Sequence, residues 1–258
     1  MNNYLLILSY VGFEYFGWQK QKYLYNTIQQ KIVDTLSELK LQVHRCSYTG
    51  RTDKGVSALF QYFNFQTDKT IQNTQEFLKI LNTNLPFEIY CLDLRKVDLS
   101  FNSRYNVKYK SYIYKIVLYD DPKFVEEKYG LKNFLAIQGY DYQLLISKLN
   151  SFIVLFNQKA NYASYYKPEK GINKNTVLNL QSNYYTHKFP EFVVITLEFK
   201  SEYFLRNMIR KIVGMLIAFI EGKVDLEYVK DSIENPDPRK GKYIAPGYPL
   251  VLYEAVYN

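Results

Sequence analysis

Thiol and imidazole groups are scarce in this sequence, and their scarcity excludes several classes of site. The 258 residues include two cysteines, Cys46 and Cys91, and two histidines, His44 and His187. So few donors predict neither a disulfide framework nor a structural zinc site. His44 and Cys46 could still form a reactive pair, because a neighbouring imidazole can activate a thiol, although no nearby residue marks a third, orienting group. That alternative stays open.

The sequence also lacks long apolar runs and the common cofactor motifs. Its longest apolar stretch, residues 212–220, is interrupted by Gly214, so we expect no membrane span. Gly-x-Gly-x-x-Gly, Gly-x-x-x-x-Gly-Lys-Ser/Thr, His-Glu-x-x-His and Gly-x-Ser-x-Gly are all missing, and we expect neither a nucleotide cofactor nor a metal. The first residues do not resemble a secretory signal. We therefore expect a cytoplasmic protein, or a nuclear or organellar one if its source is eukaryotic.

Positive charge and aromatic rings are abundant. Lysine and arginine number 33 against 25 acidic residues, which gives a net charge of +8, and there are 27 tyrosines and 17 phenylalanines. Cationic side chains neutralise phosphates, and aromatic rings stack on unpaired bases, so this composition favours a nucleic-acid partner. Many basic proteins bind nothing acidic, however, and most rings fill protein cores. Composition alone leaves both interpretations open.

Segments with strand character and segments with helix character are mixed along the chain. Residues 3–18 predict a strand that runs into a loop with two glycines. Thr27 followed by Gln30 predicts the capped start of a helix, and residues 202–223 predict the clearest helix. Residues 166–177 predict a mobile basic loop that could contact a partner. This mixture predicts the α+β class with antiparallel pairing.

Residues 48–65, YTGRTDKGVSALFQYFNF, gather both signs of charge in a short turn before a predicted strand. Asp53 stands between two glycines, with Arg51 and Lys54 beside it. One interpretation is an ordinary surface turn in which Arg51 pairs with Asp53. Another is a carboxylate projected into a cleft and kept ionised by a nearby cation. Such a carboxylate can attack an electrophilic sugar carbon, as in glycosidases.

The predicted helix over residues 202–223 places Arg206, Arg210 and Gly214 at spacings of four residues, so the three would share one face. That face could hold a carboxylate or a phosphate against the two guanidinium groups. A solvated face of an amphipathic helix is the alternative that periodicity alone favours.

A tyrosine-rich stretch precedes that helix in the chain. Tyr112 and Tyr114 point to the same side of their predicted strand, while Ile113 and Lys115 point to the other. Alternating tyrosines are also ordinary strand residues, so this pattern alone assigns no role to either ring.

Taken together, several ordered motifs resemble the TruA family of tRNA pseudouridine synthases. The resemblance covers most of the chain. Ser57 stands where bacterial members usually carry histidine, which resembles the archaeal or eukaryotic branch. The motifs that carry the resemblance are LSYVGFEYFGWQKQ, NTIQQKI, GRTDKGVSA, LNTNLP, FNSRYNVKYKSYIYKI, FLRNMIRKIVG and APGYPLVL.

The resemblance implies a function and a set of site residues. It implies isomerisation of a flipped-out uridine to pseudouridine in the anticodon stem-loop of tRNA, at about positions 38–40, without a metal, nucleotide or redox cofactor. It places the catalytic residues at Asp53, Tyr112 and Arg210. It also implies tRNA and a second copy of the chain as partners. The residues expected to contact RNA are Arg51, Lys54, Arg104, Lys108, Lys110 and Arg206.

The resemblance also implies an architecture of two α+β sub-domains, residues 1–104 and 105–258. Each would be an antiparallel sheet with helices packed on one face, and the two would be joined across an active-site cleft. Two rival functions stay open: an RNA-binding module without catalysis, and an enzyme that acts on small nucleosides with the same aspartate.

Overall fold

The computed structural model describes residues 1–23, 25–119, 134–169, 171 and 173–257. Within these ranges the chain forms eleven strands, five α-helices and one 3₁₀ turn at Ala163–Tyr165. The helices are α1 (Ile28–Glu38), α2 (Thr74–Asn84), α3 (Tyr142–Leu155), α4 (Met208–Ile220) and α5 (Leu226–Glu234). The strands are β1 (Asn2–Tyr10), β2 (Arg45–Tyr48), β3 (Ser57–Thr67), β4 (Ile89–Val97), β5 (Val107–Tyr119), β6 (Leu135–Gln138), β7 (Lys159–Asn161), β8 (Val177–Asn179), β9 (Gln181–Lys188), β10 (Phe192–Ser201) and β11 (Leu250–Tyr257). The predicted α+β class is confirmed.

The chain divides into two compact units with bounds that differ from the expected sub-domains. The first unit combines residues 1–110 with 251–258, and the second holds residues 111–250. The last strand, which the sequence analysis assigned to the second sub-domain, groups with the first unit because β11 pairs with β3. Val251 lies opposite Ser57 in that pairing.

The first unit is built on a sheet in the order β4-β1-β3-β11, with β2 also paired to β3. The pairings of β1 are antiparallel, and Leu6 lies opposite Phe63 on one side and Leu94 on the other. α2 is tied to β4 because the Asn82 side chain bonds both the N–H and the C=O of Cys91. Apolar residues from strands and helices alike form the buried interior, among them Leu6, Leu8, Ile32, Leu36, Phe63 and Leu81.

Two parallel pairings depart from the expected antiparallel sheets. β11 runs parallel to β3, and β6 runs parallel to β5 with Ile116 opposite Leu135. Neither pair is joined by a short hairpin, which is the connection that requires antiparallel strands. The sheets are therefore mainly, but not wholly, antiparallel.

The second unit combines strands β5, β10 and β9 with helices α3, α4 and α5. α3 is fixed at two points: Ser182 of β9 donates to the carbonyl of Ile153, and Lys148 donates to the carbonyl of Ile220 at the end of α4. β9 was not predicted from the sequence, because its residues are polar and mostly exposed and carry little strand signal.

The start of α4 corrects the predicted helix over residues 202–223. The helix begins at Met208, because Asn207 has a φ of 61° in the left-handed region and interrupts the preceding turn. Asparagine is among the few residues that adopt this conformation readily. Arg206 therefore precedes the helix and does not share a helical face with Arg210.

The predicted cap of α1 is confirmed. The Thr27 hydroxyl accepts a hydrogen bond from the N–H of Gln30 at 3.3 Å. The reciprocal half of a capping box is not formed, because the Gln30 side chain donates to Asp34 instead. The predicted basic loop over residues 166–177 lies partly outside the described residues. Among those that are described, no helix combines the length and hydrophobicity needed to cross a membrane.

A buried polar network fixes the chain just before Arg104. The Asn64 side-chain oxygen Oδ1 accepts hydrogen bonds from both the N–H and the hydroxyl of Ser103, at 2.9 and 2.8 Å. The Asn64 amide donates to Asn3 and to the carbonyl of Phe101. Asn3 in turn donates to the same carbonyl. A buried network of this kind is stabilising only while each member keeps its partner.

We expect Asn64→Ala to lower the free energy of unfolding by about 2–4 kcal/mol, because it leaves the Ser103 N–H and the Asn3 carbonyl without this partner. Asn84→Ala is the control, since Asn84 is exposed and bonds only locally to Ile80. We expect it to change the unfolding free energy by about 0.5 kcal/mol or less. Urea denaturation measures both, and equal effects would contradict the proposed importance of the network.

Candidate active site

The loop that joins β2 to β3, residues 49–56, carries Asp53. The Asp53 side chain is half-buried. The Val56 N–H donates to the Asp53 carbonyl at 3.1 Å, and Gly55 has a φ of 81°. This is a tight turn whose third position requires a positive φ, which glycine adopts without strain. The turn fixes the backbone of Asp53.

A second loop, residues 12–18, packs its backbone directly against this turn. The Trp18 N–H donates to the Thr52 carbonyl at 3.1 Å, and the Gly55 N–H donates to the Tyr15 carbonyl at 3.2 Å. Gly17 has a φ of 92°, and a Cβ there would lie 2.6 Å from the Thr52 carbonyl oxygen. The glycines of the GFEYFGW motif are therefore needed for close approach of the two loops.

Ser57 and Gly12 make a further link between the same loops. The Ser57 hydroxyl accepts a hydrogen bond from the Gly12 N–H at 3.0 Å. A Cβ on Gly12 would collide with the carbonyl of Val56. Ser57, noted in the sequence only as an unusual residue, thus has a structural role at the end of the turn.

Buried side chains support the turn from beneath. The Tyr10 hydroxyl bonds the Thr52 hydroxyl at 2.8 Å, and the Gln61 amide donates to the Gly50 carbonyl at 2.8 Å. Gln61 and Trp18 are completely buried. The turn is therefore held by the interior of the first unit, in contrast to a surface turn that only solvent surrounds.

Cationic side chains of the first unit lie on and beside this loop. Arg51 and Lys54 are exposed, and the Lys54 Nζ lies 4.8 Å from the centre of the Phe16 ring. Arg104 is also exposed and follows directly after the Asn64 network. Burial raises the pKa of the Tyr48 hydroxyl, while the positive charges of Arg51 and Arg104 oppose that rise. Both arginines therefore exert their positive charge on the Tyr48 hydroxyl.

Lys108 and Lys110, near the start of β5, differ in their surroundings. Lys108 is exposed, whereas Lys110 is half-buried and donates to the Thr49 carbonyl at 3.1 Å. The Thr49 hydroxyl bonds the Tyr257 hydroxyl, so the start of the loop is tied to both β5 and β11. Lys110 therefore also positions the backbone just before the turn.

In the second unit, Tyr112 and Arg210 are both held by neighbouring groups. The Tyr112 side chain is buried, and its ring meets the Phe204 ring edge-on at 5.1 Å and 82°. The Arg210 Nε donates to the Ala245 carbonyl at 2.9 Å, and the Ala245 N–H donates back to the Arg210 carbonyl at 2.9 Å. A Cβ on Gly214 would lie 2.7 Å from the backbone of Ile244, so this glycine lets α4 approach the segment that contains Ile244 and Ala245.

Arg206 is engaged with the segment predicted to be a basic loop. Its Nη1 lies 3.2 Å from the Glu169 carboxylate, and its carbonyl accepts a hydrogen bond from the Lys167 N–H. A phosphate contact by Arg206 would have to share or displace this ion pair. Sequence reasoning missed Glu169, which looked like one more polar residue of a loop, and Phe204, which looked like part of the apolar side of the helix.

His44 and Cys46 do not form the reactive pair that the sequence left open. The His44 Nε2 lies 2.7 Å from the Asp68 carboxylate, whereas the Cys46 thiol accepts from the Gln29 amide at 3.3 Å. Burial raises the pKa of Cys46, which disfavours the thiolate. Among the residues that the structure describes, no three His, Cys, Asp or Glu side chains come together in a way that could hold a metal ion.

Comparison with known proteins identifies relatives that span the whole chain. A family model described as tRNA pseudouridine synthase matches residues 159–258. The chain is 30% identical over 257 residues to tRNA pseudouridine synthase A 2 of Clostridium perfringens, with 100% of both chains covered. It is 30% identical to tRNA pseudouridine synthase A of Aquifex aeolicus, with 98% of each covered, and 31% identical to that of Clostridium kluyveri, with 100% of each covered. These relatives are bacterial, so Ser57 alone does not assign the branch.

We expect Gly17→Ala to lower the free energy of unfolding by about 2–4 kcal/mol, because the methyl group clashes with the Asp53 turn and the φ is unfavourable. Gly139→Ala is the matched control: its φ is 62°, and none of the described residues places an atom within 4 Å of a Cβ there. The control should cost only about 1–2 kcal/mol of backbone strain. Urea denaturation gives the difference, and equal values would show that the approach of the two loops is not tight.

Proposed function

The chain belongs to the tRNA pseudouridine synthase A (TruA) family, and on this premise we propose that it isomerises uridine to pseudouridine in the anticodon stem-loop of tRNA, at about positions 38–40, where the base must leave its stack to react. The chain is thus an isomerase that needs Asp53 as an ionised carboxylate. The observation that carries the proposal is the half-buried Asp53 on a turn that backbone contacts and buried side chains hold in place.

The reaction is an internal rearrangement, so atoms and charge balance within the substrate. Asp53 attacks the ribose C1′ or assists the departure of uracil, and the N1–C1′ bond breaks. The uracil rotates and C5 bonds to C1′, and where Asp53 has bonded to C1′ that bond breaks and returns the carboxylate. The proton on C5 then leaves to a general base while N1 gains a proton. Tyr112 or a water molecule beside it is that base. A carboxylate suits this chemistry, because the sugar carbon becomes electrophilic as the base departs.

Tyr112 and Arg210 supply orientation and charge in this proposal. The Tyr112 ring would pack against the extruded uracil, and its edge-on contact with Phe204 supports a fixed ring plane. Arg210 would supply the positive charge that stabilises the Asp53 carboxylate. The bond from Arg210 to the Ala245 carbonyl supports this role, because it restricts the guanidinium orientation before substrate binds.

Binding of the remaining tRNA depends on cations that carry no sequence information themselves. We assign phosphate contacts to Arg51, Lys54, Arg104, Lys108 and Lys110, and to Arg206 once its pairing with Glu169 is shared or broken. Family membership also favours a homodimer in the cytoplasm. The assignment of phosphate contacts is supported by solvent exposure of four of these side chains: Arg51, Lys54, Arg104 and Lys108.

We expect Asp53→Ala and Asp53→Asn to reduce tritium release from tRNA labelled at uridine C5 by about 1,000-fold or more, because each removes the reacting carboxylate. Asp98→Asn is the control, as Asp98 is exposed on the same unit, and it should release tritium at the parental rate. Release by Asp53→Ala at the parental rate would overturn the mechanism. If no protein released tritium while all bound tRNA, the RNA-binding module would be the better description.

We expect tRNA affinity to fall steeply with salt, and the slope of log K against log salt to shrink by about 0.7–0.9 for each phosphate contact removed. Arg51→Ala and Arg104→Ala should each show this change, whereas Lys79→Ala, on α2, should not. Filter binding at several salt concentrations measures it. Turnover of free uridine with affinity independent of salt would instead favour the small-nucleoside enzyme.

A further inference from the structure

Residues 16–23, 25 and 26 belong to a closed loop that emerges beside the Asp53 turn, and we name these residues the Ω loop. Its ends meet where the Phe16 N–H donates to the Asn26 carbonyl at 2.9 Å. The Ile28 N–H donates to the Gly17 carbonyl at 3.2 Å, and the Asn26 amide donates to the Glu14 carbonyl at 3.0 Å. Compact loops with joined ends hold their tips in a defined place and are frequently functional.

The tip of the Ω loop exposes large aromatic rings among lysines. Tyr23 is 78% exposed and Tyr25 is 74% exposed, and Lys20 and Lys22 beside them are exposed as well. The Lys22 Nζ lies 5.4 Å from the centre of the Tyr23 ring. Exposed aromatic rings beside cations are an arrangement that binds single-stranded nucleic acids, because bases stack on the rings while phosphates contact the cations.

The base of the Ω loop adjoins the catalytic turn within the first unit. Gly17 packs against the backbone of Thr52 and Asp53, and the Lys54 Nζ lies 4.8 Å from the centre of the Phe16 ring. The tip is therefore attached to the same rigid frame as Asp53. The base of the loop thus connects the exposed tip to the turn that carries Asp53.

We propose that Tyr23 and Tyr25 stack on an unpaired nucleobase next to the target uridine, while Lys20 and Lys22 bind the adjacent phosphates. The inference rests on the proposed function and adds an RNA subsite to it. When the target uridine leaves its stack, its neighbours lose a stacking partner. An exposed tyrosine ring replaces that partner without reading the base, since every base offers an aromatic face.

The test compares alanine and phenylalanine replacements in the Asp53→Ala background, so that binding is measured without turnover. We expect Tyr23→Ala/Tyr25→Ala to weaken binding of a tRNA transcript by about tenfold or more. Tyr23→Phe/Tyr25→Phe should bind as the parent does, because stacking needs the ring and not the hydroxyl. Phe87→Ala is the control, since Phe87 is 94% exposed in the same unit but lies outside the Ω loop, and it should leave affinity unchanged.

A second RNA separates stacking from general attraction. A fully paired RNA duplex offers no unpaired base, so its affinity should not change in Tyr23→Ala/Tyr25→Ala. Lys20→Ala/Lys22→Ala should instead weaken the binding of both the tRNA transcript and the duplex, and it should reduce the salt dependence of binding. An alanine variant that binds tRNA like the parent would overturn the proposal and leave the tip as a surface for a protein partner. Equal losses for tRNA and duplex would overturn it as well, as would a phenylalanine variant as weak as the alanine one.

Tritium release distinguishes this inference from the proposed function. The loop variants, with Asp53 restored, should need more tRNA for half-maximal release but reach the parental rate at saturation. If the unmodified protein releases tritium and Tyr23→Ala/Tyr25→Ala does not lower tRNA affinity, the stacking subsite alone is refuted. A parent that released nothing while the alanine variant still lost tRNA affinity would refute the reaction and retain the subsite. We expect the loop variants to have the same free energy of unfolding as the unmodified protein, because the substituted side chains are exposed.

Discussion

The position of Asp53 depends on a backbone contact between two loops that lie far apart in the sequence. Gly12 and Gly17 have no Cβ, and the carbonyls of Val56 and Thr52 occupy the space where one would stand. Hydrogen bonds from Trp18 to the Asp53 turn, and from the turn back to Tyr15, then hold the two backbones together. Because these bonds join main-chain atoms, they fix the turn without using the Asp53 side chain. The backbone of Asp53 is therefore positioned by main-chain contacts from a distant part of the sequence.

The second unit holds Arg210 by the same physical means. Gly214 lets α4 approach the backbone of Tyr243 and Ile244, and reciprocal bonds with Ala245 then fix both the main chain and the side chain of Arg210. In each unit a glycine permits close approach, and backbone hydrogen bonds maintain it. A side chain that is fixed before substrate arrives need not be reorganised during a reaction, and this principle supports the role proposed for Arg210.

Local features of the fold could be read from the sequence, and features set by distant contacts could not. The Thr27 cap depends on residues a turn apart, and it was predicted correctly. The start of α4 was wrong because the left-handed Asn207 breaks a periodicity that continues through it. The return of β11 to the first unit depends on pairing with β3, which no local pattern records. Likewise, the turn composition around Asp53 allows two interpretations, and the contacts that hold this turn come from residues 12–18, far from it in the sequence.

Residues 12–18 and the Ω loop, which overlap in the sequence, have requirements that oppose each other. Residues 12–18 must be rigid, because they carry the backbone contacts that place Asp53. RNA contacts need exposed and adaptable side chains, whose ordering on binding costs conformational entropy. The Ω loop meets both requirements by joining its ends at Phe16 and Asn26, so that its base is as fixed as the turn while its tip projects Tyr23 and Tyr25 into solvent. Because tyrosine has few rotatable bonds, a stacked ring loses less entropy than a long cationic side chain does. Aromatic residues are therefore well suited to the proposed stacking positions, and lysines to the phosphates around them.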